Sequence, residues 1–271
     1  MADCHHLGTF LLETKVAGAA AFAKFMTVLQ AVADAPEPPT AALLARTCGY
    51  PRPTVYRIVA ALAEQGMVAE SGGVYRLGTR LMSLASRAWS QFDLRAALAP
   101  DLQALRDATG ETVHLAVPAG HEMIYIDKLE SPGPVRMVSR VGSSVALHSS
   151  AVGKAYLAAL DDAARERLLR DLPLPARMPG TVTSLAALRT VLDEARRRGY
   201  AMDNEENEAG IVCYGVALCD AAGRPVAGVS VSTLLFRRQD DPQAAYIDPL
   251  LRLRDAAAAK LAVLPASSGG V

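Results

Sequence analysis

A chain of 271 residues exceeds one typical domain, and at about 150 residues per domain two are expected. An apolar fraction of 51 % gives material for real cores and excludes a chain disordered by composition. Lysine plus arginine (28) equals aspartate plus glutamate (28), so a general polyanion binder is excluded and any nucleic-acid contact has to come from a local patch.

The four cysteines, Cys4, Cys48, Cys213 and Cys219, form no C-x-x-C pair and meet no histidine at zinc-finger spacing. Neither a metal site nor a disulfide framework is expected, no cofactor is implied, and a reducing cytoplasm is the simpler compartment. No apolar run is long enough for a membrane span.

Residues 1–20 read as a loose leader. The apolar run from Val16 to Ala23 follows Lys15 like a signal-peptide core, but it is short and continues as a helix. Phe22, Phe25, Met26, Leu29 and Val32 recur at helical spacing. The Pro-rich segment from Asp34 to Pro39 ends that helix. Thr40 suits the N-cap of a short second helix, Ala41 to Arg46. After the turn Cys48-Gly49-Tyr50-Pro51, a third helix is predicted from Arg52 to Gln65, with Pro53 tolerated in its first turn. Two short strands around Gly72-Gly73 read as a hairpin. Three helices and a hairpin make residues 21–78 a winged helix-turn-helix. Residues 79–93 form a linker helix, with Leu81, Leu84, Ala85 and Ala88 on one stripe and Trp89 nearby.

A second domain is predicted over residues 94–265. It opens with a helix from Leu94 to Ala108. Strands follow at Thr112 to Val117, Met123 to Leu129 and, shorter, Val135 to Val138. Helices are expected at Ser150 to Leu160, Ala163 to Leu169 and Leu185 to Arg198. Ile211 to Cys219 and Pro225 to Leu234 form a hairpin, and a helix from Asp241 to Leu264 closes the domain. Antiparallel strands with flanking helices make the class α+β. Residues 266–271 read as a disordered tail.

On the third helix, Val55, Ile58, Val59 and Leu62 fall on one buried stripe. That leaves Arg52, Thr54, Tyr56 and Arg57 turned outward at its N-terminal end, where a recognition helix meets the major groove. Arginine reads guanine edges, and threonine and tyrosine hold phosphates. Arg76 lies on the wing. A winged helix used for protein contacts, with solvated arginines, is the alternative.

In the second domain, Ser230 and Ser232 are two apart on a strand, so both hydroxyls face one side, beside Cys213 on the partner strand. A solvated strand face is the competing explanation. The helix opening near Ser149 to Val152 offers free N–H groups that suit an anion. Three enzyme motifs fail. Gly153-Lys154 lacks the first glycine and the final Ser/Thr of a P-loop. Gly228 to Ser232 ends in Ser where G-x-S-x-G needs Gly. No H-E-x-x-H is present. His114, His121 and His148 read as structural, and Glu205 reads as part of a solvated acidic turn.

The stretch Leu44 to Arg57 resembles the helix-turn-helix of the isocitrate lyase regulator (IclR) family of bacterial transcriptional regulators. One departure is Pro53, where the family has a small polar residue. Leu147-His148-Ser149-Ser150-Ala151-Val152-Gly153-Lys154-Ala155 resembles that family's loop-helix motif. Gly199 to Glu206 through Cys213, and Gly228 to Ser232, resemble its effector-domain pattern. The match spans Lys24 to Leu264. The resemblance implies a GAF-like effector domain and an effector pocket of Met137, Val145, Ala151, Val152, Asp203, Ile211, Cys213, Ser230 and Ser232. It also implies a palindromic double-stranded operator, a dimer or dimer of dimers, and a small organic acid as effector. Asp203 would repel a carboxylate unless protonated or accepting from a ligand hydroxyl. An enzyme of small-acid metabolism with a DNA-binding head stays as the rival.

Overall fold

The computed structural model describes residues 18–90 and 93–262. The chain divides into two compact units, Met1–Gln91 and Phe92–Val271. The leader falls almost wholly outside the described residues, as do the tail and the last turn expected of the closing helix.

In the first unit, α1 (Ala19–Asp34), α2 (Ala41–Cys48) and α3 (Arg52–Glu64) precede a two-stranded hairpin, β1 (Val68–Ser71) and β2 (Val74–Leu77). Thr40 caps α2, its hydroxyl accepting from Leu43 N–H at 3.3 Å. Gly49 takes φ +68° at the end of α2, where a side chain would be strained. Val28 and Val32, Leu44, and Val55, Ile58, Val59 and Leu62 bring the three helices into one core. Gly72 and Gly73 both have positive φ, which lets two residues close the hairpin. The hairpin is tied to the start of α2 by Tyr75 N–H donating to Pro39 O at 2.9 Å. The linker helix α4 runs Thr79–Ser90. Its Leu81 packs on the core, whereas Met82 and Leu84 are exposed. The side chains of Ala88 and Trp89 lie outside the described residues.

The second unit holds α5 (Asp93–Thr109), β3 (Thr112–Ala119), β4 (Glu122–Leu129), β5 (Ser144–Ala146), α6 (Ala151–Ala159), α7 (Asp162–Arg170), α8 (Leu185–Arg198), β6 (Ala201–Asn204), β7 (Ile211–Cys219), β8 (Pro225–Leu234) and α9 (Asp248–Leu261). Its strands form one antiparallel sheet in the order β5-β4-β3-β8-β7-β6. Strand alternation splits the sheet into two faces. Val113, Leu115, Val229, Val231, Val216 and Leu218 pack under α5 and α9. Ala116, Met123 and Ala201 face the opposite way and pack with α6 and α8 through Val152, Ala155, Leu188 and Leu192.

Two expectations need correction. Val135 to Val138 is not a strand; the short strand is β5, further along. The carbonyls of Met137 and Ser139 accept from the Lys128 ammonium at 2.8 and 2.7 Å instead of from a ladder partner. Strand-like pairing resumes at Ser143, whose carbonyl takes Tyr125 N–H at 3.0 Å. Ala201–Asn204, which the sequence reading left unassigned, forms the edge strand β6. It is too short for alternation to announce it.

Helix α6 approaches the sheet through glycines. A Cβ on Gly215 would lie 2.6 Å from Ala151 C, and one on Gly228 would lie 3.2 Å from Val152 Cβ. Gly215→Ala should therefore push α6 off the sheet and cost about 1–3 kcal/mol, as overpacking does. Urea unfolding of purified protein checks this; an unchanged midpoint would show that the close approach is not a constraint.

Candidate DNA interface and effector site

The first unit presents one basic helix end. Arg52, Tyr56 and Arg57 are exposed on α3 and Thr54 is half-buried, while Val55, Ile58, Val59 and Leu62 face the core. Arg76 is exposed on β2. Arg80 is engaged otherwise: its Nη1 donates to the Gln65 carbonyl and Oε1, both at 3.0 Å.

In the second unit the α6 side of the sheet carries a buried polar floor whose layout follows from strand register. One row across the sheet reads Asp203, Cys213, Ser232, Thr112. The next reads Ala201, Gly215, Ser230, His114, Lys128. A third reads Ala217, Gly228, Ala116, Tyr125. Alternation would put Lys128 and Ile126 on one face and Tyr125 on the other. A bulge in β4 breaks that pattern: Leu115 faces Asp127 and Ala116 faces Tyr125, leaving Ile126 as the extra residue, so Lys128 and Tyr125 share the polar face and Ile126 joins the α5–α9 core.

The floor is closed over by the protein's own groups. His114 Nε2 lies 2.8 Å from the Ser139 hydroxyl, and its Nδ1 lies 3.4 Å from the Ser232 hydroxyl. The Tyr125 ring lies 4.6 Å from the His114 ring. Lys128 holds the Met137 and Ser139 carbonyls and pairs with Glu130 at 2.9 Å. As a result Ser230, Ser232, His114 and Asp203 are all at most 4 % exposed.

The far edge of the floor is a polar network. Lys154 of α6, fully buried, pairs with Glu206, whose Oε2 is buried without a hydrogen-bond partner. Asp203 accepts from Glu206 N–H at 2.8 Å and from Asn207 Nδ2 at 2.7 Å. Ser149 donates to Asn207 Oδ1 at 2.8 Å, and Thr181 donates to the Glu206 carbonyl at 2.7 Å. These bonds join the start of α6 to the turn after β6. Ser150 caps α6, accepting from Gly153 N–H at 3.0 Å.

Burial dominates the electrostatics. It pushes the His114 imidazole down to about 3, with the Lys128 ammonium acting in the same direction, so His114 is neutral. It pushes the Cys213 thiol and the Tyr125 phenol well up, with the Asp203 charge adding to both. Asp203 is raised by burial, although Asn207, the Glu206 N–H and Lys154 pull it back.

The structure brings most of the expected pocket together. Asp203, Cys213, Ser230 and Ser232 share the floor; Ala151 and Val152 form the buried first turn of α6 against Gly215 and Gly228. Ile211 stands two residues before Cys213 on β7, half-buried. Val145 lies on β5 opposite Met123. Met137 contributes its carbonyl to Lys128 and belongs to the segment over the floor, not to a strand. Glu205 is not merely solvated: it takes φ +58°, and its carboxylate accepts from Gly210 N–H at 2.8 Å.

Sequence reasoning missed His114, Tyr125, Lys128 and the Lys154–Glu206 pair. The bulge hid Tyr125 and Lys128. Lys154 figures in the sequence as a failed P-loop lysine and as part of the loop-helix motif, although a lysine inside an apolar helix run itself announces a buried partner.

Two family models together match most of the chain. The IclR helix-turn-helix domain fits residues 21–72, and the bacterial transcriptional regulator IclR C-terminal domain fits residues 86–260. The chain belongs to the IclR family. It is 33 % identical over 236 residues to the probable transcriptional regulator SauR of Cupriavidus necator, covering 86 % of this chain and 93 % of that one. It is 32 % identical over 202 residues to the transcriptional repressor IclR of Escherichia coli, covering 73 % and 74 %. The crystal structure of the Thermotoga maritima IclR superposes with TM-score 0.69 at 33 % identity, over 90 % of this chain and 99 % of that one. An IclR homologue from Microbacterium hydrocarbonoxydans, solved in complex with 4-hydroxybenzoate, superposes with TM-score 0.73 at 27 % identity, over 89 % and 98 %. The protein is thus an IclR-type DNA-binding transcriptional regulator and not an enzyme. Among the described residues no helix is long and apolar enough to cross a membrane.

The neutral state of His114 carries a pH signature. The unfolded chain takes up a proton below about 6.5 while the folded protein refuses it down to about 3, so stability present at neutral pH is lost as pH falls through that window. The slope is at most about 1.4 kcal/mol per pH unit. His114→Gln, which keeps a polar group at Nε2, should lose less stability than wild type between about pH 6.5 and about pH 5. Urea midpoints at both pH values check this; parallel losses would place the proton elsewhere.

Proposed function

We propose that operator binding by the N-terminal unit is controlled by a small organic acid held on the polar floor of the C-terminal unit. The floor itself carries this reading: two serine hydroxyls, a neutral histidine and the first turn of α6 converge beside the apolar side chains of Val145, Val152 and Ile211. A few convergent donors among apolar walls are what a small-ligand site needs. The 4-hydroxybenzoate bound to the Microbacterium homologue, a small acid on a related fold, supports the class of ligand. Asp203 accepts a ligand hydroxyl while its charge is offset by its own donors. The protein acts in the cytoplasm, where the operator is.

On DNA, Arg57 reads a base edge, Arg52 holds a phosphate or base edge, Thr54 and Tyr56 hold phosphates and Arg76 reaches from the wing. Arg57→Ala should weaken operator binding by about 1–3 kcal/mol and relax sequence preference. Gel shifts on the operator and on unrelated DNA measure both; wild-type affinity and selectivity in a folded variant would remove the assignment.

One winged helix reads few base pairs, so two are joined, as a dimer or dimer of dimers, on a palindromic operator. Leu84, exposed on α4, is the proposed joint. Leu84→Glu should weaken self-association and DNA binding together in sedimentation and gel-shift titrations. A wild-type monomer bound at a single half-site would contradict this.

Removing both floor hydroxyls, Ser230→Ala with Ser232→Ala, should leave operator binding nearly intact and move the acid dose response by orders of magnitude. Each lost hydrogen bond to a charged ligand costs about 1.5–3 kcal/mol. Operator release titrated with small carboxylates tests it, and an unchanged titration would put the pocket elsewhere.

A further inference from the structure

The recognition helix α3 and the linker helix α4 meet backbone against backbone. The turn that ends α3 passes through Gly66, at φ +68°. Gly78, the residue before α4, is buried on that turn. A Cβ on Gly78 would lie 2.7 Å from the Gly66 carbonyl carbon and 2.9 Å from that of Met67. Gly78 N–H donates to the Met67 carbonyl at 2.8 Å, one step beyond the hairpin pair Val68 and Leu77. Arg80 N–H, in the first turn of α4, donates to the Gly66 carbonyl at 3.3 Å.

The Arg80 side chain closes the joint. Its Nη1 donates to both the carbonyl and the Oε1 of Gln65, the C-cap residue of α3, each at 3.0 Å. The last turn of α3 carries no basic residue of its own, so this guanidinium is the cation at the negative end of the recognition helix. The neighbouring Leu81 packs on the three-helix core. Arg80 therefore belongs to a DNA-binding unit but spends its Nη1 on protein.

Two winged helices on one duplex must match both the distance and the rotation between half-sites, since each base pair adds about 3.4 Å and about 35°. With the two joined through α4, play between α3 and α4 becomes tolerance of the wrong spacing.

We infer that Arg80 is a positioning residue of DNA binding: by locking α3 to α4 across the Gly66–Gly78 contact, it makes the protein selective for one half-site spacing without touching DNA. This rests on two winged helices being joined through α4, as proposed above.

Gel shifts with the full-length protein test it, on duplexes built from the half-site that wild type selects from random DNA. One duplex carries a single copy; the others carry two inverted copies at the selected spacing and at one and two base pairs more and less. Wild type should bind the selected spacing about tenfold or more tighter than the others, because simultaneous engagement is lost when geometry forbids it. Arg80→Ala should narrow that preference to about threefold or less, while binding the single half-site within about twofold of wild type. A wild-type spacing profile in Arg80→Ala overturns the inference. So does an equal loss on every duplex, the single half-site included; a salt slope shallower by about one would then make Arg80 a phosphate contact. Failure of the underlying reading looks different: wild type itself would bind two half-sites no tighter than one, or all spacings alike, and the inference would fall with it.

Discussion

The layout of the polar floor in the C-terminal unit depends on how closely α6 lies against the sheet. Gly215 and Gly228 supply the room, and Ala151 and Val152 fill it. Glycine in a strand interior weakens the strand by entropy and lost packing. The compensation here is a helix start held on the floor rather than a side chain's width above it. The buried Lys154–Glu206 pair then ties that helix to the turn carrying Asp203 and Asn207. Removing one partner of such a pair leaves an uncompensated buried charge, which is far more costly than the pair itself. The pair is therefore read as fixing geometry, not as a net source of stability.

The same face is closed from the other side by the segment Met137 to Ser139. Lys128 holds its carbonyls and His114 its serine. His114, Ser232 and Lys128 on the polar floor are thus engaged internally, and on the proposed reading a ligand has to replace those bonds with its own. A ligand shifts a conformational equilibrium only through differential affinity for the two states. On the proposed reading, the bonds exchanged at Ser232, His114 and Ser139 are where that difference arises.

Much of this was legible in the chain. The winged helix could be read from one apolar stripe, a Thr cap, a Gly-Gly turn and a Gly49 turn, because each is a local rule. The β7–β8 hairpin followed from alternation, which placed Ser230, Ser232 and Cys213 together. What escaped depends on partners distant in sequence. The segment Val135 to Val138 looks like a strand until Lys128 takes its carbonyls. Tyr125 looks outward-facing until the extra residue Ile126 in its own strand turns it. β6 is recognisable only through its ladder to β7. Met137, Val145 and Ile211 came from family resemblance and not from any pattern in these residues.

The most direct test of the central claim, that effector is sensed on this floor, is amide hydrogen exchange of the full-length protein with and without an acid that releases it from operator DNA. The account requires new protection in three separated segments: Met137 to Ser139, the first turn of α6 from Ala151, and Asp203 to Asn207. Protection confined to other regions, with these three unchanged, would contradict it.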